Sequence, residues 1–251
     1  MEVLREMIYI ESSALFGSLM RLPENYAPER SCPLVVGLAG GGGNPEDLIT
    51  LWDHFPDRSF IYAVPQAPYP MLDDGELGFD WFMWPTGDDK LISKATELSE
   101  KYIVKVVQDL TSLHDINDVY LLGFSQGAIL AYLSGIKHHH VFKGIICLSG
   151  PALLAPLVNP FTGSFNPTWL TERLIQDAGE LRVFITHGKD DHPVPYEMGI
   201  RSRDILMKHG YDVTFRDFNG GHSHPPGGIL AQIVNWTKNP QGVLSYPPKK
   251  V

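Results

Sequence analysis

From Val119 to Leu133 the chain runs through a strand-like segment (Val119, Tyr120, Leu121, Leu122), then Gly123-Phe124-Ser125-Gln126-Gly127, then an apolar helical segment from Ala128 to Leu133. A chain that passes from strand to helix within five residues has few conformations open to it. The tip residue must take a strained backbone conformation, and glycine on either side lets the two elements approach closely. Ser125 is therefore predicted to stand exposed at the end of a sheet strand. Gly-x-Ser-x-Gly alone occurs in many loops; the flanking strand and helix give it weight here.

The rest of the chain fits a sheet built around that turn. Leu34–Leu38, Phe60–Val64, Val119–Phe124, Gly144–Leu148, Arg182–Thr186 and Asp212–Asp217 read as buried strands. Helical patterns alternate with them: a short one from about Pro45 to His54, an amphipathic one between Leu98 and Leu113, then Met198–His209 and Ile229–Trp236. This alternation predicts an α/β fold with a mostly parallel central sheet and helices on both faces. Two stretches rich in Pro, Gly and aromatics, Pro65–Leu91 and Gly150–Trp169, break the rhythm after strands, where α/β folds place binding loops. Neither is long enough for a separate lid domain. With 251 residues, a single domain over residues 1–238 and a poorly ordered tail from 239 to 251 is the simplest division.

Composition narrows the partners. A net charge of -9 disfavours nucleic acid and anionic membranes, which are bound chiefly through clustered Lys and Arg. No apolar run reaches the roughly 18 residues of a membrane span, and the charged N-terminal stretch is unlike a signal peptide, so a cytoplasmic location is expected. Cys32 and Cys147 form no disulfide framework, and Cys147 lies in a core-like run. No cofactor is implied, and oligomeric state is open.

An elbow serine needs a base to take its proton and a carboxylate to orient that base. Both are available downstream. The strand ending at Thr186 leads into His187-Gly188-Lys189-Asp190-Asp191-His192-Pro193-Val194-Pro195, and the strand ending near Asp217 leads into Phe218-Asn219-Gly220-Gly221-His222-Ser223-His224. The order Ser, then acid, then His is that of strand-elbow hydrolases. A metal site is not expected, because no carboxylate or cysteine repeats at ligand spacing and no His-Glu-x-x-His occurs. His187 fits a turn at a strand end, and His138-His139-His140 a solvent-facing helix C-terminus.

Three motifs together resemble the carboxylesterase/phospholipase branch of the α/β-hydrolase fold, which includes acyl-protein thioesterases. They are the Gly-Phe-Ser-Gln-Gly elbow at Gly123–Gly127, a His-Gly-x-x-Asp-x-x-Val-Pro loop at His187–Pro195, and Gly221-His222. The resemblance spans roughly Leu34 to Trp236. It implies a serine hydrolase acting on small carboxylic esters or thioesters, with Ser125 as nucleophile, Asp191 rather than Asp190 as acid, and His222 rather than His224 as base. It also implies an oxyanion hole from the Gln126 N–H and a glycine of the run Gly40–Gly43, either Gly41 or its neighbour Gly42. Members of the branch commonly carry histidine where this chain has Ala39, and that histidine helps to brace the loop. Phe79, Trp81 and Trp84 line a substrate pocket or cover the sheet edge; Phe161, Phe165 and Trp169 pose the same choice. A peptidase or amidase on the same fold, or a non-catalytic binding protein, are the competing readings.

Overall fold

The computed structural model describes residues 14–73, 75–83, 86, 88–153 and 170–239. Its centre is a seven-stranded sheet in the order β1-β3-β2-β6-β7-β8-β9. The strands are β1 (Ser18–Arg21), β2 (Cys32–Leu38), β3 (Ile61–Pro65), β6 (Ile116–Phe124), β7 (Gly144–Leu148), β8 (Arg182–Gly188) and β9 (Val213–Phe218). Only β1 runs antiparallel, pairing with β3 at the sheet edge; the other pairings are parallel. A separate two-stranded hairpin, β4 (Tyr69–Asp73) and β5 (Glu76–Asp80), lies in the stretch expected to be irregular.

Alternate residues of the central strands enter different cores, as side chains on a pleated strand must. Leu34, Val36, Leu38 and Leu121 face a cluster with residues of α2 (Asp89–Leu113), α3 (Gln126–Lys137), α4 (Glu172–Asp177) and α5 (Tyr196–Lys208). Val35, Tyr120 and Leu122 face the opposite cluster, with α1 (Pro45–Ile49), the 3-10 turn Thr50–His54 and α6 (Gly227–Lys238). Helices thus cover both faces, and a parallel sheet buried on both sides explains the near-continuous apolar runs of β2, β6 and β7.

Several boundaries differ from those expected. The helix expected from Pro45 to His54 is one α-turn followed by a 3-10 turn. Helix α2 starts at Asp89, well before Leu98, because the Asp88 carboxylate accepts the Lys90 and Leu91 N–H groups and caps it there. Strand β1 gives no signal in the sequence because all four of its residues are exposed, leaving no buried face to generate a pattern. Cys147 is fully buried, as expected of a core residue. The tail beyond residue 239, Trp84, and Phe161, Phe165 and Trp169 lie outside the described residues.

Helix α3 packs so tightly on β6 and on the end of β2 that the elbow glycines cannot be replaced. A Cβ on Gly123 would sit 2.1 Å from the Gly127 carbonyl oxygen, and one on Gly127 would sit 2.1 Å from that of Leu38. Gly127→Ala is expected to destabilise the protein by at least about 2 kcal/mol, the scale of overpacking a rigid interior. A urea midpoint unchanged from that of the parent chain would contradict this packing account.

Candidate active site

Ser125 sits between β6 and α3 at φ 54 and ψ -117, a positive-φ conformation rare for a residue with a side chain. Such strain costs on the order of 1–3 kcal/mol and persists only where the surroundings over-determine it. Here the Ser125 N–H donates to the Leu148 carbonyl on β7 at 2.9 Å, while its own carbonyl accepts the Ala128 and Ile129 N–H groups in the first turn of α3. The hydroxyl is left pointing out of the sheet end.

The loops after β8 and β9 meet it there. His222 Nε2 lies 2.9 Å from Ser125 Oγ, and His222 Nδ1 lies 2.8 Å from Asp191 Oδ2. Asp191 is 4% exposed, and its other carboxylate oxygen accepts the Val194 N–H at 2.9 Å. Its carboxylate thus serves a turn and faces an imidazole at once. Backbone bonds hold the two loops together, from Lys189 N–H to Phe218 O and from Asp190 N–H to Gly220 O, both 2.9 Å. Asp190 itself is exposed. Phe124 packs against both histidines, with ring centroids 5.0 Å from His222 and 4.7 Å from His224.

His187 is fully buried, and its Nε2–H donates to the Val194 carbonyl at 2.8 Å while lying 3.3 Å from Asp191 Oδ2. It fastens the acid turn, as its place at a strand end suggested. Burial holds its pKa below the ordinary histidine range, against the raising influence of the Val194 bond and of Asp191. His224 is shifted the same way, again chiefly by burial.

The glycine loop carries a selection among donors. Gly42 N–H is shared between the Phe79 carbonyl at 3.1 Å and Asp80 Oδ1 at 3.0 Å, and Gly43 N–H donates to Gly40 O at 3.1 Å. Gly41 N–H has no acceptor among the described residues. Gln126 is the first residue of α3, where backbone N–H groups have no partner within the helix.

Trp81 is not a pocket wall. It is fully buried, and its indole N–H donates to the Ala39 carbonyl at 2.9 Å, so it packs behind the glycine loop instead of facing a ligand. Phe79 is half-buried against the same core, with its backbone bridged to Gly43. Phe124 and Asp80 carry no signal of a role in the sequence beyond, for Asp80, a lone carboxylate within Phe79-Asp80-Trp81-Phe82. Among the described residues no group of three metal-binding side chains could hold an ion. An open cavity of about 690 Å³, lined in part by Tyr26, Arg30, Asp53 and Arg58, lies at the N-terminal ends of β2 and β3, away from Ser125. It brings together none of the groups just described, so the hydrogen-bonded cluster, and not this cavity, defines the site.

A serine at a strand–helix elbow, joined through histidine to a buried carboxylate at the C-terminal edge of a mostly parallel sheet, is the arrangement that α/β-hydrolases share. The chain belongs to the phospholipase/carboxylesterase family, whose model matches residues 33–238. It is 26% identical over 210 residues to the carboxylesterase SOBER1 of Arabidopsis thaliana, covering 80% of this chain and 86% of that one. It is 31% identical over 137 residues to acyl-protein thioesterase 1 of Gibberella zeae; that match takes in 53% of this chain and spans only 54% of the relative's length. Acyl-protein thioesterase 2 of Zea mays superposes with a TM-score of 0.64 at 23% identity, over 88% of this chain and 97% of that one. A structure of esterase PE8 superposes at 0.69 and 24% identity, over 90% and 99%.

The lowered pKa values of His187 and His224 make part of the stability depend on pH. The native state resists the proton that the unfolded chain accepts near pH 6.5, so their contribution is whole above that pH and is lost as pH falls through it. The melting temperature is expected to be level near pH 7.5 and to fall towards about pH 5, with a shallower fall in His187→Gln. A melting temperature that stays level to about pH 5 would contradict this.

Proposed function

We propose that the protein is a serine hydrolase that cleaves carboxylic esters or thioesters through an acyl-enzyme. The observation that carries the reading is the continuous chain of hydrogen bonds from Ser125 Oγ through His222 to Asp191, at 2.9 and 2.8 Å. Family membership and relatives named carboxylesterase and acyl-protein thioesterase support it independently.

In this mechanism His222 Nε2 takes the Ser125 proton as Oγ forms a bond to the substrate carbonyl carbon, whose π electrons move onto oxygen. Asp191 accepts the Nδ1–H bond, which fixes the tautomer and stabilises the imidazolium. The oxyanion is met by the N–H groups of Gly41 and Gln126; Gly42 is set aside because its N–H already serves Phe79 and Asp80. Collapse expels the alcohol or thiol, protonated by His222, and leaves the acyl group on Ser125. Water, deprotonated by His222, repeats the sequence and releases the acid. Two preorganised donors matter because losing one costs on the order of 10²–10³ in rate.

Ser125→Ala is expected to keep the melting temperature and to lose ester turnover by several orders of magnitude, with Asp191→Asn losing on the order of 10⁴ in kcat. Turnover of a chromogenic ester by Ser125→Ala at the parent rate would refute the mechanism. In the parent enzyme kcat/KM should decline on acidification, since only neutral imidazole can accept the serine proton. A profile flat from neutral to strongly acid pH would argue against His222 as base, and a parallel peptide panel tests the amidase alternative.

A further inference from the structure

The segment Phe79–Phe82 bonds to the backbone of the glycine loop and to the side chain of Gln126, the two places that supply the oxyanion donors. Towards the glycine loop, the Phe79 carbonyl and Asp80 Oδ1 share the Gly42 N–H, Phe79 N–H donates to Gly43 O at 3.2 Å, and the Trp81 indole donates to Ala39 O. Towards the nucleophile helix, Trp81 N–H donates to Gln126 Oε1 at 2.7 Å, and Gln126 Nε2 donates to the Phe82 carbonyl at 3.2 Å. The approach is close enough that a Cβ on Gly78 would lie 1.9 Å from the Gly42 carbonyl oxygen. Asp80 is the one ionisable side chain in this clamp, only 5% exposed, and it meets both halves: Gly42 N–H and the Gln126 side chain.

A carboxylate buried among Phe79, Trp81 and Phe82 is costly unless its hydrogen bonds return that cost, and here they are spent on the two oxyanion-bearing segments. Desolvation raises its pKa, and the bonds from Gly42 and Gln126 oppose the rise. At the head of the glycine loop stands Ala39, whose methyl group can brace nothing by hydrogen bonding. Taking up the Gly42 N–H has a second effect: Gly41 is left as the free donor, and its peptide is held between Gly40, whose position lies against Ser125, and the fixed Gly42.

We propose that Asp80 is the positioning residue of the oxyanion hole, fixing the glycine loop against Gln126 so that the Gly41 and Gln126 N–H groups converge above Ser125. The proposal rests on the serine-hydrolase reading. Asp80 does not touch substrate and transfers no proton.

The test compares Asp80→Asn, nearly isosteric and retaining one acceptor oxygen, with Asp80→Ala, which retains none. For each, kcat and KM on a small ester are measured together with the affinity of an aryl trifluoromethyl ketone. Ser125 Oγ adds to the ketone carbon, its proton passes to His222, and the negative charge rests on the former carbonyl oxygen, so the adduct reads oxyanion binding directly. The expected result is KM within about twofold of the parent, kcat lowered several-fold in Asp80→Asn and by about 10² in Asp80→Ala, and ketone affinity falling in proportion to kcat/KM. Parent-level kcat in either folded variant overturns the proposal, and so does a loss of kcat with undiminished ketone affinity. Should Asp80→Ala fail to fold, Asp80→Asn alone decides by the same criteria. Ser125→Ala separates the two levels of the argument: full activity in that variant sinks the hydrolase reading itself, whereas an inactive Ser125→Ala beside a fully active Asp80→Asn sinks only the role of Asp80.

Discussion

Everything at the site depends on the reversal of direction at Ser125. A strand ending in Phe124 and a helix beginning at Gln126 meet through one residue at positive φ; Gly123 lets their backbones come within contact distance, and Gly127 lets the helix approach Leu38 of β2. The turn does two things with one geometry. It pushes the serine hydroxyl out of the sheet, and it opens the N-terminal end of α3, whose first N–H has no partner inside the helix. Strain of this kind persists only because the Leu148 carbonyl, the first turn of α3 and the glycine contacts hold it from three sides.

The parallel sheet supplies the remaining groups because its loops leave the same edge. Strands β2 and β6, and β8 and β9 across β7, end along one edge, so residues far apart in sequence, Gly41, Ser125, Asp191 and His222, are brought to one place. Each loop is then fixed by a different device. The acid turn is fastened by the buried His187 and by its own carboxylate on Val194; the base loop is tied to it by backbone bonds; and the glycine loop is held by the hairpin strand β5 and Trp81. Two of these devices use buried polar side chains, which are costly alone and tolerable only when bonded.

The parts legible in the sequence are those with strong local signals. Buried parallel strands are apolar along their whole length, so β2, β3, β6, β7 and β8 could be read directly, and the elbow announced itself through its glycines. What the sequence hid depends on tertiary contacts. The hairpin β4–β5 carries a proline and exposes Leu72 and Leu77, so it lacks the alternation of a half-buried pair. Trp81 in an aromatic run could have faced either a ligand or the core, and only its burial and its bond to Ala39 separate the two. Asp80 is invisible for the same reason, and of His187 only its place at a strand end can be read: a buried polar residue makes full sense only once its partners are known.

The central claim is that this elbow makes Ser125 a nucleophile that carries the acyl group between two half-reactions. Rapid acid quench of the enzyme during turnover of a slowly deacylating aryl ester, followed by peptide mass spectrometry, tests it directly. The account predicts a mass increase equal to the acyl group on the peptide containing Ser125, at close to one equivalent in the pre-steady-state burst. Aryl-ester turnover at full rate with no acyl group on Ser125, or with the group on another residue, would contradict it.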